Sequence, residues 1–81
     1  MEDLKKTVKQ YILQEFLPGE DPGNLIDSTP LITGGILDSI GTVKLVAFIE
    51  ERYGIEFQAH EVAVEHLNTL SAIADFVQAK L

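Results

Sequence analysis

The sequence has no cysteine and no tryptophan, and none of its apolar runs approaches the roughly 18 residues of a membrane-spanning helix. The missing cysteine excludes disulfide bridges, thiolate-ligated zinc and a cysteine nucleophile. Basic residues are also scarce, with 6 Lys and Arg against 13 Asp and Glu and a net charge of -7. Because nucleic acids and anionic membranes attract basic surfaces, we expect neither as a partner.

What the sequence does contain fits one small helical domain. Its 81 residues are 46% hydrophobic, which is typical of a folded chain rather than a disordered one. The charged start is not followed by the apolar stretch of a leader peptide, so the expected location is the cytoplasm. We expect a single domain over residues 1–81, working as a monomer.

Apolar spacing predicts three clear helices and one short one. Residues at intervals of three and four predict an amphipathic helix over 2–17. A connection over 18–38, rich in Pro and Gly, follows it. The second helix is predicted over 39–53, with Asp38 as its N-cap and Gly54 at its end. A short third helix is expected over 59–65, and a last helix begins near Thr69.

The apolar residues of these segments are the expected core. The first helix contributes Leu4, Val8, Tyr11, Ile12 and Phe16. The long connection should be held against the helices by Leu25, Ile26, Leu31, Ile32, Ile36 and Leu37. The last helix contributes Leu70, Ile73, Ala74, Val77 and Leu81.

The second helix is unusual because it is apolar on two sides. A helical wheel places Leu45, Val46 and Ile49 on one side, as an ordinary core stripe. Ile40, Val43 and Ala47 fall on the opposite side. So small a bundle can hardly surround a helix, so the second side is expected to face a partner. The alternative is that Ile40 and Val43 pack under the long connection.

The start of this helix carries a serine in a setting that suits a phosphate ester. Ser39 follows Asp38, after the expected flexible pair Gly34–Gly35. A helix N-terminus attracts phosphate through its free N–H groups and the positive end of its dipole. Asp and Ser are also common N-cap residues, so the pair alone is equally compatible with a simple cap.

The stretch from Leu31 to Phe57 resembles the acyl carrier and peptidyl carrier protein superfamily. Asp38-Ser39-Ile40 is similar to the family's Asp-Ser-Leu motif, and an apolar helix, an acidic cluster, an aromatic residue and an Ile-Glu-Ile-like turn follow. The order of the predicted helices fits over nearly the whole chain. The resemblance implies an all-α fold, a four-helix bundle of the acyl carrier protein type with a long first loop and a short third helix.

The resemblance also implies a function and its residues. Ser39 would carry 4′-phosphopantetheine, moved from coenzyme A by a phosphopantetheinyl transferase, and Asp38 would help dock that enzyme and its magnesium-bound cofactor. Cargo would ride as a thioester on a carrier that has no catalytic residues and no metal of its own. Partner enzymes would recognise a surface of six residues on the second helix, namely Ile40, Val43, Lys44, Ala47, Glu50 and Glu51.

Two departures from the family pattern indicate which class of carrier this chain resembles most. Gly41 and Lys44 stand where carriers of primary fatty-acid synthesis usually have acidic residues. This favours discrete aminoacyl, D-alanyl and peptidyl carriers, or those of lipopeptide and other natural-product pathways of secondary metabolism. Such carriers are loaded by an adenylating acyl or aminoacyl ligase and serve condensing or transferring enzymes downstream. Gly41 would also leave room for a partner to approach the backbone.

Three alternatives remain beside this prediction. A cofactor-free helical docking module would explain the two-sided helix but not the position of Ser39, and a primary fatty-acid synthesis carrier would share the fold. An enzyme could use Ser39, His60 and Asp75, but no nucleophile-elbow motif surrounds the serine. His66 and the carboxylates show no metal-ligand spacing.

Overall fold

The apolar spacing of the sequence is realised as four α-helices in a computed structural model that describes residues 2–81, without the side chains of Glu2 and Asp3. Helix α1 spans Glu2–Phe16, α2 spans Ser39–Tyr53, α3 spans Val64–Leu67 and α4 spans Leu70–Lys80. Between residues 2 and 81 no strand forms. None of these helices has the length and apolarity that crossing a bilayer requires. The all-α expectation is therefore confirmed, while Met1, the first residue of the expected domain, lies outside the described range.

The C-terminus of α2 and the N-terminus of α4 lie at the residues that the sequence predicts. Gly54 adopts the left-handed conformation with φ 66°, and its N–H donates to the Glu50 carbonyl. Thr69 caps α4, because its hydroxyl oxygen accepts a hydrogen bond from the Ala72 N–H at 3.0 Å. Both ends thus satisfy backbone groups that a helix terminus leaves free.

The third helix is shorter and later than the predicted span of 59–65. A 3-10 turn occupies Ala59–Glu61, and α3 begins only at Val64. The Glu61 carboxylate accepts a hydrogen bond from the Gln58 N–H at 2.7 Å, which closes the first turn on itself. Ala63 is then extended, so the two turns cannot merge into one helix. Leu67, which is buried, holds α3 against the core.

A single apolar core joins all four helices and the long connection between α1 and α2. Its buried members are Leu4, Val8, Ile12, Leu25, Leu31, Leu37, Leu45, Val46, Ile49, Phe57, Leu67, Leu70, Ile73, Ala74 and Val77. Tyr11 and Phe16 are half-buried against it. The predicted inner stripe of α2 is thereby confirmed.

Two predicted core residues are instead exposed. Leu81 caps the end of α4 after its last helical residue, and 63% of it faces solvent. Ile26 is 56% exposed, because its neighbour Leu25 takes the inward position in the connection.

Replacing Ile49 with Ala should lower the free energy of unfolding by about 2–5 kcal/mol, because the methyl groups removed are fully buried. Urea unfolding followed by circular dichroism measures this. Val43→Ala is the matched control on the same helix; Val43 is 63% exposed, so its loss should cost less than about 0.5 kcal/mol. Equal unfolding midpoints for the two variants would contradict the assignment of the inner stripe.

Candidate functional site

Ser39 is the first residue of α2, and its position is fixed by the capping residue before it. The Asp38 carboxylate accepts a hydrogen bond from the Gly41 N–H at 2.6 Å. The Asp38 carbonyl oxygen accepts from both the N–H and the hydroxyl of Thr42, each at 2.8 Å. These three bonds define the first turn of the helix, and Ser39 lies on it exposed to solvent. An anionic ester on Ser39 would lie at the positive end of the helix dipole.

The connection that leads to Ser39 is held in place by Asn68, between α3 and α4. The Asn68 side-chain oxygen accepts from the N–H groups of Ile32 and Thr33, at 2.9 and 3.0 Å. Its backbone oxygen accepts from the Leu31 N–H at 2.6 Å. Asn68 is not predictable from the sequence as a site residue, because no sequence spacing links it to a loop 36 residues earlier.

The two glycines before α2, expected to be a flexible pair, lie in a hydrogen-bonded turn. A side chain on Gly34 would collide with the Pro30 carbonyl oxygen. Gly35 has φ +85°, a conformation that other residues rarely adopt. The turn closes with a hydrogen bond from the Leu37 N–H to the Leu31 carbonyl at 2.8 Å, and both leucines are buried. The segment that leads to Ser39 is therefore held by this hydrogen bond and by two buried side chains.

The outer side of α2 is open to solvent, as the helical wheel predicts. Ile40 is 68% and Val43 is 63% exposed, so neither packs under the long connection. Three more of the six predicted surface residues are exposed: Lys44, Ala47 and Glu51.

Glu50 differs from the other five residues of the predicted recognition surface. It is half-buried, and its carboxylate accepts a hydrogen bond from the Phe57 N–H at 2.8 Å. Part of this side chain therefore serves to hold the segment after α2 and is less accessible than the sequence suggests.

Gly41 does not lie on the open side of α2. It is buried against Phe16 of α1, so the expectation that it leaves room for a partner is wrong. In the first turn of a helix, the residue two positions after an exposed one points to the opposite side.

A shallow, open groove of about 270 Å³, partly lined by Ser39, lies between α2 and the segment that leads into α3. Its lining consists of Ile32, Ser39, Thr42, Val43, Val62, Ala63 and Val64. Val62 and Val64 are 39% and 46% exposed, and neither is among the site residues predicted from the sequence. Ser39 thus shares a mainly aliphatic surface that contains no charged side chain.

Comparison with known proteins decides which of the alternatives applies. A family model described as "Phosphopantetheine attachment site" matches residues 12–77. The chain belongs to the phosphopantetheine-binding carrier family.

Individual relatives agree with this assignment. A D-alanyl carrier protein of Streptococcus suis (strain 98HAH33) is 35% identical over 71 residues, which is 88% of this chain and 86% of the relative. A D-alanyl carrier protein of Streptococcus sanguinis (strain SK36) is 33% identical over 75 residues, covering 93% and 91% of the two chains.

A solved structure shares the fold as well. A chain in the structure described as "Crystal structure of FAD-dependent dehydrogenase" matches with a TM-score of 0.77 and 33% identity, over 86% of this chain and 97% of that one. Because an 81-residue protein covers nearly all of it, the matched chain is itself of carrier size.

Carriers of this family hold 4′-phosphopantetheine covalently and are not catalysts, and they work with a phosphopantetheinyl transferase and with loading or transferring enzymes. The residues present fit that group. A covalent phosphodiester needs a hydroxyl open to solvent, which Ser39 supplies at a capped helix N-terminus. The aliphatic groove beside it offers an uncharged surface to the arm.

The residues of the enzyme alternative are not brought together in this carrier. His66 packs on the Phe76 ring with 4.3 Å between ring centres, and His60 is exposed in the turn before α3. Neither histidine, nor Asp75, lines the groove beside Ser39. Among the side chains that the structure describes, those of residues 4–81, no three from His, Asp and Glu are arranged to hold a metal ion.

Glu61 directly precedes the groove-lining residues Val62 and Ala63, and it forms an ion pair with Lys80 of α4. Its carboxylate accepts from the Gln58 N–H at 2.7 Å and lies 2.9 Å from the Lys80 ammonium. The backbone hydrogen bond, followed by the bond to Lys80, lowers the pKa of Glu61 below its ordinary value of 4.5. Because the folded state favours the charged carboxylate, this group stabilises the fold above pH 4.5, and the contribution is lost as the pH falls through the lowered pKa.

The Glu61→Gln variant should therefore lose less stability on acidification than the wild type. The measurement is the free energy of unfolding in urea at a series of pH values above and below 4.5. Val62→Ala changes an exposed neighbour without removing a charge and is the control; it should keep the wild-type slope. The same slope for Glu61→Gln and wild type would contradict the role given to this carboxylate.

Proposed function

We propose that Ser39 is the residue to which 4′-phosphopantetheine is attached, and that the chain carries a small aminoacyl group of the D-alanyl type. The observation that carries the proposal is the position of Ser39, which is exposed on the first turn of a capped helix, beside an aliphatic groove. When bound, the arm supplies the thiol that holds the cargo as a thioester. The protein has no cysteine that could compete for the cargo.

Attachment is a phosphoryl transfer onto the Ser39 oxygen. The Ser39 Oγ forms a bond to the phosphorus nearest the pantetheine arm of coenzyme A, and the bond from that phosphorus to the bridging oxygen breaks. Adenosine 3′,5′-bisphosphate leaves, and the hydroxyl proton passes to a base on the transferase. Asp38 holds the first turn of α2 with one carboxylate oxygen, so Ser39 is presented in one position. We assign Asp38 the further role of meeting the transferase and its magnesium ion.

The D-alanyl type of cargo is supported by the relatives and by the shape of the site. The relatives are named D-alanyl carrier proteins, at 33–35% identity over most of the chain. The groove at Ser39 is shallow and open, and the core residues behind it are tightly buried. A long acyl chain would need an enclosed cavity, whereas an aminoacyl group can remain in solvent. Lys44, exposed on α2, also argues against the basic partners of fatty-acid synthesis.

A second candidate is a carrier whose cargo is oxidised while it is attached, in a natural-product pathway. It is favoured by the matched chain that occurs in the structure of an FAD-dependent dehydrogenase. A carrier-sized chain in that structure is consistent with an enzyme that acts on carrier-bound substrates.

The recognition surface proposed for partner enzymes is the open side of α2. Ile40, Val43 and Ala47 supply its apolar part, with Lys44 and Glu51 beside them and Glu50 at its half-buried edge. A small apolar patch framed by charges gives modest, salt-sensitive binding, which suits a protein that several enzymes must bind and release. We place this single carrier domain in the cytoplasm, where coenzyme A and ATP are available, and expect it to act as a monomer.

Incubation with coenzyme A and a broad-specificity phosphopantetheinyl transferase should add the mass of one phosphopantetheine to the wild type. Ser39→Ala should gain nothing, because the accepting oxygen is missing. Ser71→Ala, which removes a hydroxyl from the first turn of α4, is the matched control and should be modified like the wild type. Modification of Ser39→Ala, or none of the wild type, would overturn the proposal; intact-mass spectrometry measures both.

Loading tests separate the two candidates for the cargo. With ATP and an adenylating ligase specific for D-alanine, the modified protein should gain one alanyl group that hydroxylamine releases. Loading only by ligases for other amino acids, followed by loss of a hydrogen pair on addition of an FAD-dependent dehydrogenase, would favour the second candidate. Loading only by a long-chain acyl ligase would contradict both.

Ile40→Asp and Val43→Asp should raise the KM of the loading ligase by roughly tenfold, because each adds a charge to the apolar patch. Ile26→Asp is the matched control, since Ile26 is 56% exposed but lies in the long connection. All three should keep a wild-type melting temperature. An unchanged KM for both α2 variants would remove this surface from the account, and unfolding of either would show that its side chain belongs to the core.

A further inference from the structure

Gly41 occupies a space in which no side chain fits without movement of its neighbours. It is buried in the first turn of α2 and faces the end of α1. A Cβ atom on Gly41 would lie 3.0 Å from Cε1 of Phe16 and 3.1 Å from Oδ1 of Asp38. Both separations are shorter than ordinary van der Waals contact. One of the two neighbours would have to give way.

The Phe16 ring is held by other aromatic residues. Tyr11 contacts it edge-on, with ring centres 6.0 Å apart and planes at 78°. Tyr11 in turn stacks on Phe48 of α2 at 4.1 Å, and its hydroxyl donates to the Lys44 carbonyl at 3.3 Å. These contacts tie the end of α1 to the middle of α2. The ring therefore has little freedom to swing away from residue 41.

Of the two side chains next to Gly41, the Asp38 carboxylate can move more easily than the Phe16 ring. Asp38 is also the N-cap of α2. The oxygen that a Cβ would approach is the same Oδ1 that accepts the Gly41 N–H at 2.6 Å. If the carboxylate turns aside, that bond lengthens and the first turn loses its cap. If the carboxylate stays, the first turn must move away from Phe16. In both cases the first turn, on which Ser39 lies, shifts by a few tenths of an ångström.

We propose that Gly41 is a positioning residue for Ser39: its missing side chain lets the Phe16 ring and the Asp38 carboxylate close on the first turn of α2 together. The inference rests on the proposed attachment role of Ser39, and it assigns a reason for glycine at a helical position. Alanine is the better helix former, so in open space Gly41→Ala would make the first turn firmer. Here the packing predicts the opposite effect.

The test compares Gly41→Ala, Phe16→Leu and the double variant as substrates of a phosphopantetheinyl transferase. Gly41→Ala should lower kcat/KM roughly tenfold, mainly through kcat, because the nucleophile is displaced while the outer side of α2 is kept. Phe16→Leu removes the ring edge opposite the new methyl group. In the double variant the rate should return to within about threefold of that of Phe16→Leu alone. Ile73→Val, in the core part of α4, controls for a general loss of stability and should keep the wild-type rate.

Amide hydrogen exchange gives a readout that does not depend on the cofactor. The amides of residues 39–42 should exchange faster in Gly41→Ala than in the wild type, and Phe16→Leu should restore them in the double variant. An unchanged rate with unchanged exchange would overturn the inference, as would a slow rate that Phe16→Leu does not restore. If the transferase fails to modify even the wild type, the attachment role is wrong, and the exchange data alone then decide whether Gly41 orders this turn.

Discussion

Helix α2 packs through Leu45, Val46 and Ile49 against the rest of a core that is too small to cover more than one side of it. This constraint determines the other features of the molecule. Because α1, α4 and the long connection pack on the inner side of α2, no element covers Ile40 and Val43 on its outer side, and both remain exposed to solvent. The same helix therefore stabilises the fold with one side and is free to meet partners with the other. Such a division suits a carrier, which needs a surface rather than an active-site cavity.

The position of Ser39 follows from how the inner side is anchored at its first turn. Asp38 caps α2, and Phe16 packs on Gly41 just behind the cap. Asn68 fixes the connection that leads into the helix, through hydrogen bonds to Ile32 and Thr33. The first turn of α2, which carries Ser39, is thus packed against α1. The connection that leads into this turn is held by the junction of α3 and α4. An arm attached there, as we propose, would extend from a turn whose position the surrounding contacts define.

The features predictable from sequence were those that depend on neighbours along the chain. The span of α2, its cap Asp38, its end at Gly54 and its two-sided pattern all follow from local spacing. The position of α3 could not be predicted from local spacing, because the hydrogen bond from Gln58 to Glu61 closes a separate turn before it. The loop clamp by Asn68 and the burial of Gly41 against Phe16 depend on contacts between distant residues, for which the sequence holds no spacing signal. The valines beside the groove, Val62 and Val64, were missed for the same reason.

Whether Ser39 is the point at which this carrier holds its arm is best measured on protein isolated from its own host. Proteolysis followed by tandem mass spectrometry separates the peptides that contain Ser28, Ser39 and Ser71. We expect one phosphopantetheine on the Ser39 peptide, in part extended by the cargo, and none on the other two. Phosphopantetheine on Ser28 or Ser71, or an unmodified Ser39 in cells whose transferase is active, would contradict it.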